Sequence, residues 1–218
     1  RLCRDWSSDV CSSDLATLSE RALTDVYGFE EEVCILDVET TGYDPERDRL
    51  IEVAAAIMRG PEVLDRFSTL VDPLVPVPVE ITKLTGIDDA MLEGAPLAEK
   101  AVAQLVDFIG GRDIVAHNAS FDRGFIERIA GRTALHGTWL DSLVFVRLGL
   151  PRARTHRLAD LAAAFAPEAV ERAHRAPDDV AALCAIWRVA LAALSDLDAG
   201  ILERIASLAP DAPWPERA

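Results

Sequence analysis

The predicted fold starts from VCILDVETTGYDPERDRLIEVAAAIM, residues 33–58. Its two apolar runs, residues 33–38 and 50–58, have the length of strands. The segment between them, TTGYDPERD, is polar and rich in turn-forming residues. The stretch therefore predicts a hairpin of two strands at the start of a sheet.

Further elements follow from apolar spacing along the rest of the chain. Strands are predicted at residues 65–71 and 113–116. Helices are predicted at residues 80–85, 88–93, 96–109, 141–148, 158–165, 177–194 and 201–208. Another predicted helix begins within HNASFD, with Asp122 in its first turn, and runs up to Gly131. Early strands followed by alternating strand and helix predict an α/β sandwich around a mixed central sheet.

Composition limits the class of protein. The chain has 218 residues, of which 50% are hydrophobic, so it predicts one folded domain and excludes global disorder. Its net charge of −15 argues against a broad basic surface that coats DNA or a membrane. Arg188 breaks the longest apolar run, and we expect a soluble, cytoplasmic protein with no membrane partner. Cys34 and Cys184 lie in apolar runs and are predicted to be buried, with no disulfide and no zinc site.

The two ends of the chain differ from its centre. Residues 4–15, RDWSSDVCSSDL, resemble the translation of a sequencing adaptor, so residues 1–15 are predicted to be a non-native segment. A Ser-rich disordered tail is the alternative. We expect residues 16–30 to be a lead-in and residues 195–218 to be a helical tail or linker, and an adaptor at one end also suggests a truncated gene.

Asp37 and Glu39 are the first candidates for chemistry. They lie two residues apart at the end of the first predicted strand, so both carboxylates project to the same face of the sheet. Like charges on an apolar face are costly unless a cation compensates them, and a hard, oxygen-preferring metal is the natural partner. The alternative is a solvated or salt-bridged pair.

Three later residues extend this pattern. Asp122 falls in the first turn of a predicted helix, and His174 and Asp179 flank the start of the last large helix. Each has a plainer interpretation, because acidic residues favour helix N-termini and histidines are common on surfaces. Together, however, four carboxylates can hold two divalent ions for phosphodiester hydrolysis, and a histidine can accept the proton of the attacking water.

The motifs ILDVETTG, LTGI, AHNASFD and HRAPDD resemble those of the DEDDh 3′–5′ exonucleases, over residues 31–194. The resemblance implies a ribonuclease-H-like α/β fold with a mixed, five-stranded central sheet flanked by helices. It also implies that two Mg²⁺ ions, replaceable by Mn²⁺, are held by four acids, with His174 as general base. The implied metal ligands are Asp37, Glu39, Asp122 and Asp179.

The same resemblance implies a substrate and partners. The expected activity is 3′–5′ hydrolysis of single-stranded or frayed DNA ends to nucleoside monophosphates, in the proofreading-polymerase or helicase-fused branch of the family. Residues implied to line the pocket for the terminal nucleotide are Thr40, Thr41, Leu84, Asn118 and Phe121. A polymerase or a fused helicase is the expected protein partner. An exoribonuclease and a catalytically silent nucleic-acid or polymerase-binding module remain the alternatives.

Other residues receive plainer assignments. His117 is predicted to be a hydrogen-bonded structural residue, and Phe165 and Trp187 to lie in the core. No role is assigned to His136 or His156. Six arginines near the later motifs could contact phosphates or could simply be solvated: Arg123, Arg152, Arg154, Arg157, Arg172 and Arg175.

Overall fold

The computed structural model describes residues 31–167 and 174–195. Its five strands are β1 (Glu32–Thr40), β2 (Leu50–Arg59), β3 (Glu62–Leu70), β4 (Asp113–Ala116) and β5 (Trp139–Asp141). They form one sheet in the order β3-β2-β1-β4-β5. The first three are antiparallel neighbours, whereas β4 and β5 run parallel to β1, so the mixed five-stranded sheet is confirmed. Strand β5 was not predicted from apolar runs, because a run of three residues, WLD, is too short to stand out.

Seven helices are described: α1 (Val79–Thr85), α2 (Asp89–Leu92), α3 (Ala98–Ile109), α4 (Ala119–Ala130), α5 (Ser142–Gly149), α6 (Leu158–Phe165) and α7 (Ala176–Ser195). The predicted helices agree with them to within two residues. Helix α3 begins at Ala98 rather than at residue 96, because the Pro96 carbonyl accepts a hydrogen bond from the Asp72 amide at 3.0 Å. The predicted N-terminal segments, residues 1–15 and 16–30, and the predicted helix at residues 201–208 lie outside the described residues.

The alternation of β1 divides the core between the two faces of the sheet. Cys34, Leu36 and Val38 pack with α3 and α4 on one face. Ile35 packs with α7 on the other face, and Asp37 continues that alternation. The acid pair of β1 therefore points toward the face that α7 covers.

Packing at the periphery completes the fold. Helices α5, α6 and α7 share a cluster that includes Val146, Leu161 and Ile186, and the predicted core positions Phe165 and Trp187 are both packed. Cys34 and Cys184 are buried free thiols, as predicted. Within the described ranges, every helix is too short or too polar to cross a membrane.

Candidate active site

Three carboxylates predicted to act together meet at the carboxyl end of β1. Asp37 and Glu39 lie within the last four residues of that strand, and Asp179 lies in the first turn of α7. One oxygen from each of the three side chains lies within 4.8 Å of the other two. Residues far apart in sequence converge here because α7 packs across the face of the sheet to which Asp37 and Glu39 point.

Asp122 reaches the same place from the opposite face of the sheet. It lies in the first turn of α4, is 3% exposed, and its Oδ1 accepts a hydrogen bond from the Val38 amide at 3.2 Å. Val38 lies between the two acids of β1, so this bond fixes Asp122 beside Asp37. Asp122 stands outside the three-oxygen group, and it borders that group through its electrostatic interaction with Asp37.

His174 lies at the exposed rim of the cluster. Its backbone has a left-handed conformation with φ of 67°, which is uncommon for a residue with a side chain. Its amide donates to Asp179 Oδ2 at 3.1 Å, which ties the residue to the first turn of α7. Its charged form also interacts favourably with Asp179.

The acids are held in a setting that resists their ionisation. Burial, followed by the repulsion of Asp179 and Glu52, raises the pKa of Glu39 from 4.5 to about 8. Burial also raises the pKa of Asp179 to about 6, although His174 opposes that shift. The pKa values of Asp37 and Asp122 are raised well above the ordinary range, first by burial and then by neighbouring carboxylates. Among residues 31–167 and 174–195, no salt bridge pairs any of these four acids with a protein cation.

One carboxylate on this face does have such a cation. Glu52 lies opposite Glu39 on β2 and is 1% exposed. The guanidinium group of Arg175 binds it through two nitrogens, at 2.9 and 2.6 Å, and the Ala176 amide donates to it at 3.0 Å. Arg175 is thus occupied by Glu52 and is not the free phosphate contact considered from the sequence.

Sequence reasoning missed the role of Glu52. The available signal was the single acidic residue in LIEVAAAIM, an otherwise apolar strand. An acid at such a position needs a partner when it is buried. The pair anchors the beginning of α7 to the sheet, directly after His174. The pair therefore sets the position of both His174 and Asp179.

The residues predicted to line a nucleotide pocket lie in three places. Thr40 is the last residue of β1, Thr41 is the first residue after it, and both are buried. The Thr40 hydroxyl donates to the Gly42 carbonyl, and Thr41 Oγ1 accepts from the Arg49 amide. Leu84 is 43% exposed on α1.

Phe121 belongs to a row of aromatic rings beside Asp122. Its ring centroid lies 5.1 Å from that of the buried Phe125 and 6.4 Å from that of Tyr43. Tyr43 is 80% exposed and was not among the residues predicted to line the pocket. The row therefore ends in an exposed aromatic ring, and Phe121 directly precedes Asp122 in the chain.

Asn118 and His117 form the turn between β4 and α4. Asn118 has φ of 67° and caps α4, and its amide donates to Asp141 Oδ1 at 2.9 Å. His117 contacts the Ser142 hydroxyl at 2.9 Å through Nδ1 and the His156 carbonyl at 2.8 Å through Nε2. Burial lowers the pKa of His117, and its two hydrogen bonds agree with the hydrogen-bonded structural residue that was predicted.

The donor set fits a hard divalent cation. The converging ligands are carboxylate oxygens, the type that Mg²⁺ and Mn²⁺ prefer. A bound cation would also offset the repulsion that raises the pKa values of these acids.

Comparison with known proteins identifies the family. The family model RNase_T, described as Exonuclease, matches residues 34–187. The chain belongs to this exonuclease family. The matched range contains Asp37, Glu39, Asp122 and Asp179.

Relatives of this exonuclease-family chain include much longer proteins. It is 36% identical over 163 residues to the PolC-type DNA polymerase III of Clostridium perfringens, covering 73% of this chain and 11% of that protein. With the PolC-type DNA polymerase III of Bacillus subtilis it shares 37% identity over 158 residues, covering 70% of the chain and 11% of the relative. The chain therefore spans about a tenth of the length of these relatives.

Solved structures share its fold. Exonuclease X in complex with 5′ overhanging duplex DNA has a TM-score of 0.59 and 23% identity, covering 77% of this chain and 95% of that one. E. coli exonuclease I in complex with a dA16 oligonucleotide has a TM-score of 0.63 and 18% identity, covering 81% and 43%. The ribonuclease-H-like exonuclease fold predicted from the motifs is confirmed.

Proposed function

We propose that this chain is a DEDDh-type, metal-dependent 3′–5′ exonuclease that removes nucleotides from DNA ends. The convergence of Asp37, Glu39 and Asp179 within 4.8 Å, at a position bordered by Asp122, carries the proposal. The exonuclease family of the chain supports it, because the matched range, residues 34–187, contains all four acids.

In this proposal the four acids hold two Mg²⁺ ions, which when bound activate water and stabilise the leaving 3′ oxygen. The protein's part is to place its ligands and to manage a proton. Asp122 is oriented by the Val38 amide, and Asp179 by the His174 amide. His174 lies at the exposed rim, where its imidazole can accept a proton from the attacking water and pass it to solvent.

The aromatic row suits a single-stranded end. Bases stack on aromatic faces without sequence preference, and the 80% exposed ring of Tyr43 offers such a face beside Phe121. We assign Leu84, Thr40 and Thr41 to the surroundings of the terminal nucleotide, with the two threonines shaping the turn. Asn118 sets the path of the chain into Asp122.

DNA is favoured over RNA as the substrate. The PolC-type relatives are DNA polymerases, and the two solved structures described above hold DNA. A polymerase, as in the PolC-type relatives, is the favoured larger context of the chain, and a fused helicase is the second. Proofreading of a DNA 3′ end follows from the first context.

A digestion of labelled oligonucleotides tests the proposal. DNA and RNA of the same sequence, 5′-labelled, are incubated with Mg²⁺ or Mn²⁺, and a ladder of products shortened from the 3′ end is expected from DNA. The Asp179→Asn variant should lose this activity because it lacks one ligand of the cluster. Asp178→Asn, in the same helical turn but outside the cluster, is the matched control and should retain activity.

The outcomes separate the alternatives. Preferential shortening of RNA would make the chain an exoribonuclease. DNA binding without any hydrolysis would make it a silent binding module. Equal activity of the Asp179→Asn and Asp178→Asn variants would contradict the assignment of the site.

A further inference from the structure

A stretch that follows the last strand carries a positive net charge, opposite in sign to that of the whole protein. Residues 142–159, SLVFVRLGLPRARTHRLA, contain four arginines and no acidic residue, in a chain whose net charge is −15. Three of the arginines, Arg152, Arg154 and Arg157, lie within six residues of one another between α5 and α6. We call residues 150–157 the arginine loop.

The arginine loop is folded onto the protein in a way that presents these side chains outward. Leu150 is buried, its carbonyl accepts from the Ala153 amide at 3.0 Å, and the same carbonyl contacts His156 Nε2 at 3.1 Å. Ala153 packs against the cluster shared by α5, α6 and α7. The three arginines, in contrast, are all exposed. The backbone is therefore ordered by contacts that do not involve the guanidinium groups.

One hydrogen bond ties the arginine loop to the active site. The His156 carbonyl contacts His117 Nε2 at 2.8 Å, and His117 directly follows the last residue of β4. Strands β1 and β4 are parallel neighbours, so their carboxyl ends lie at the same edge of the sheet. Asp37 and Glu39 lie at that edge on β1, and α4, which carries Asp122, starts two residues after His117. The arginine loop thus borders the carboxylate cluster.

Its positive charges are not consumed by ion pairs with the residues described. Among residues 31–167 and 174–195, no carboxylate forms a salt bridge with Arg152, Arg154 or Arg157. Other arginines of the chain are paired, for example Arg175 with Glu52. An acidic protein that presents a group of guanidinium ions beside a carboxylate cluster, with no salt bridge to them from its described residues, has a local attraction for anions there.

We propose that the arginine loop is a phosphate-binding surface that binds the nucleic-acid backbone upstream of the 3′-terminal nucleotide. This inference rests on the proposed nuclease function. Guanidinium groups bind phosphate oxygens in a forked geometry. The carboxylate cluster repels a polyanion until cations occupy it, whereas the loop attracts the strand in their absence. Affinity for the strand therefore comes from the loop, and the chemistry comes from the acids.

The test compares two triple variants with equal charge change. Arg152, Arg154 and Arg157 are replaced by Gln in the first. In the second, Gln replaces Arg59, Arg66 and Arg132. Arg59 lies opposite Glu32, at the far end of β1 from the acids, and Arg132 follows the far end of α4. Matching melting temperatures would show that both variants are folded.

Binding of a fluorescent single-stranded DNA of about twelve nucleotides is measured in EDTA, so that no cleavage occurs, at several salt concentrations. Each phosphate contact contributes about 0.7 to the slope of log K against log salt, which is about fivefold in affinity near 0.1 M salt. The arginine-loop variant should bind about tenfold to a hundredfold more weakly than the wild type, with a slope lower by about 2. The second triple variant should bind nearly as the wild type does.

A small substrate separates this inference from the proposed function. The p-nitrophenyl ester of thymidine 5′-monophosphate offers one scissile phosphodiester and no upstream backbone, so the arginine-loop variant should hydrolyse it like the wild type while its KM for DNA rises. Equal DNA affinity and salt slope in the two triple variants would overturn the inference even if the wild type is an active nuclease. If the wild type does not hydrolyse DNA at all, the proposed function is refuted. The DNA-binding measurements in EDTA would still decide the role of the arginine loop.

Discussion

Replacing Glu39 by Gln should stabilise the metal-free protein while abolishing its activity. Burial and neighbouring acids raise the pKa of Glu39 in the folded protein from 4.5 to about 8. The folded state therefore binds a proton at Glu39 more tightly than the unfolded state does. Between these two pKa values the stability must fall as the pH rises, because ionisation of Glu39 favours unfolding. A glutamine, which does not ionise, removes that contribution.

The size of the effect follows from the two pKa values. Raising the pH from about 5 to about 7.5 should cost the wild type about 3 kcal/mol of stability through Glu39 alone. For a domain of this size that corresponds to a melting temperature lower by roughly 6 to 12 °C. The other acids of the cluster, whose pKa values are also raised, add to the loss of stability in the wild type. The informative quantity is therefore the difference in melting temperature between the wild type and Glu39→Gln.

Thermal unfolding in EDTA at the two pH values measures that difference. The Glu39→Gln variant should melt above the wild type at about pH 7.5 and close to it at about pH 5. Glu62→Gln, at an exposed position of β3, is the matched control and should follow the wild type at both. Adding Mg²⁺ or Mn²⁺ at the higher pH should raise the melting temperature of the wild type but not of Glu39→Gln. A wild type whose stability is flat or rises with pH, and which Glu39→Gln merely follows, would refute this reasoning.

Three further perturbations probe the surroundings of the cluster. Glu52→Gln should weaken the contact that anchors α7 to the sheet and lower kcat by tenfold or more, which corresponds to about 1.4 kcal/mol. It should also weaken Mn²⁺ binding, measured by electron paramagnetic resonance. Unchanged Mn²⁺ affinity and kcat would contradict the anchoring role. Tyr43→Ala should raise KM for single-stranded DNA by roughly fivefold or more, equivalent to about 1 kcal/mol of lost stacking, with kcat little changed, whereas Tyr43→Phe should behave as the wild type; a loss confined to kcat would argue against stacking. His174→Ala should reduce kcat by about a hundredfold or more, while Mn²⁺ affinity stays near that of the wild type. Loss of metal affinity would mark His174 as a ligand instead.

Much of this protein could be predicted from short-range pattern. The length and apolarity of residues 33–38 and 50–58 predicted the hairpin of β1 and β2, because strand formation there depends on neighbouring side chains that alternate between two buried faces. The same alternation placed Asp37 and Glu39 on one face. The bounds of α7, where apolar residues recur at helical spacing over a long stretch, were likewise predicted to within one residue at each end.

Other features depend on contacts between distant parts of the chain. Strand β5 has three residues and exists because β4 offers it a hydrogen-bonding edge, so its own composition could not reveal it. Glu52 looked like an interruption of an apolar strand until Arg175, 123 residues later, was brought to it.

The environment of the acids likewise required the tertiary structure. The raised pKa of Glu39 reflects burial and the approach of Asp179 and Glu52, neither of which is set by its sequence neighbours. The sequence by itself determined which side chains could bind a cation and on which face of β1 two of them lie. Only the packing of α7 and α4 on opposite faces of the sheet decided that Asp179 and Asp122 meet there, because electrostatic and hydrogen-bonding forces act over a few ångströms in space, whatever the separation along the chain.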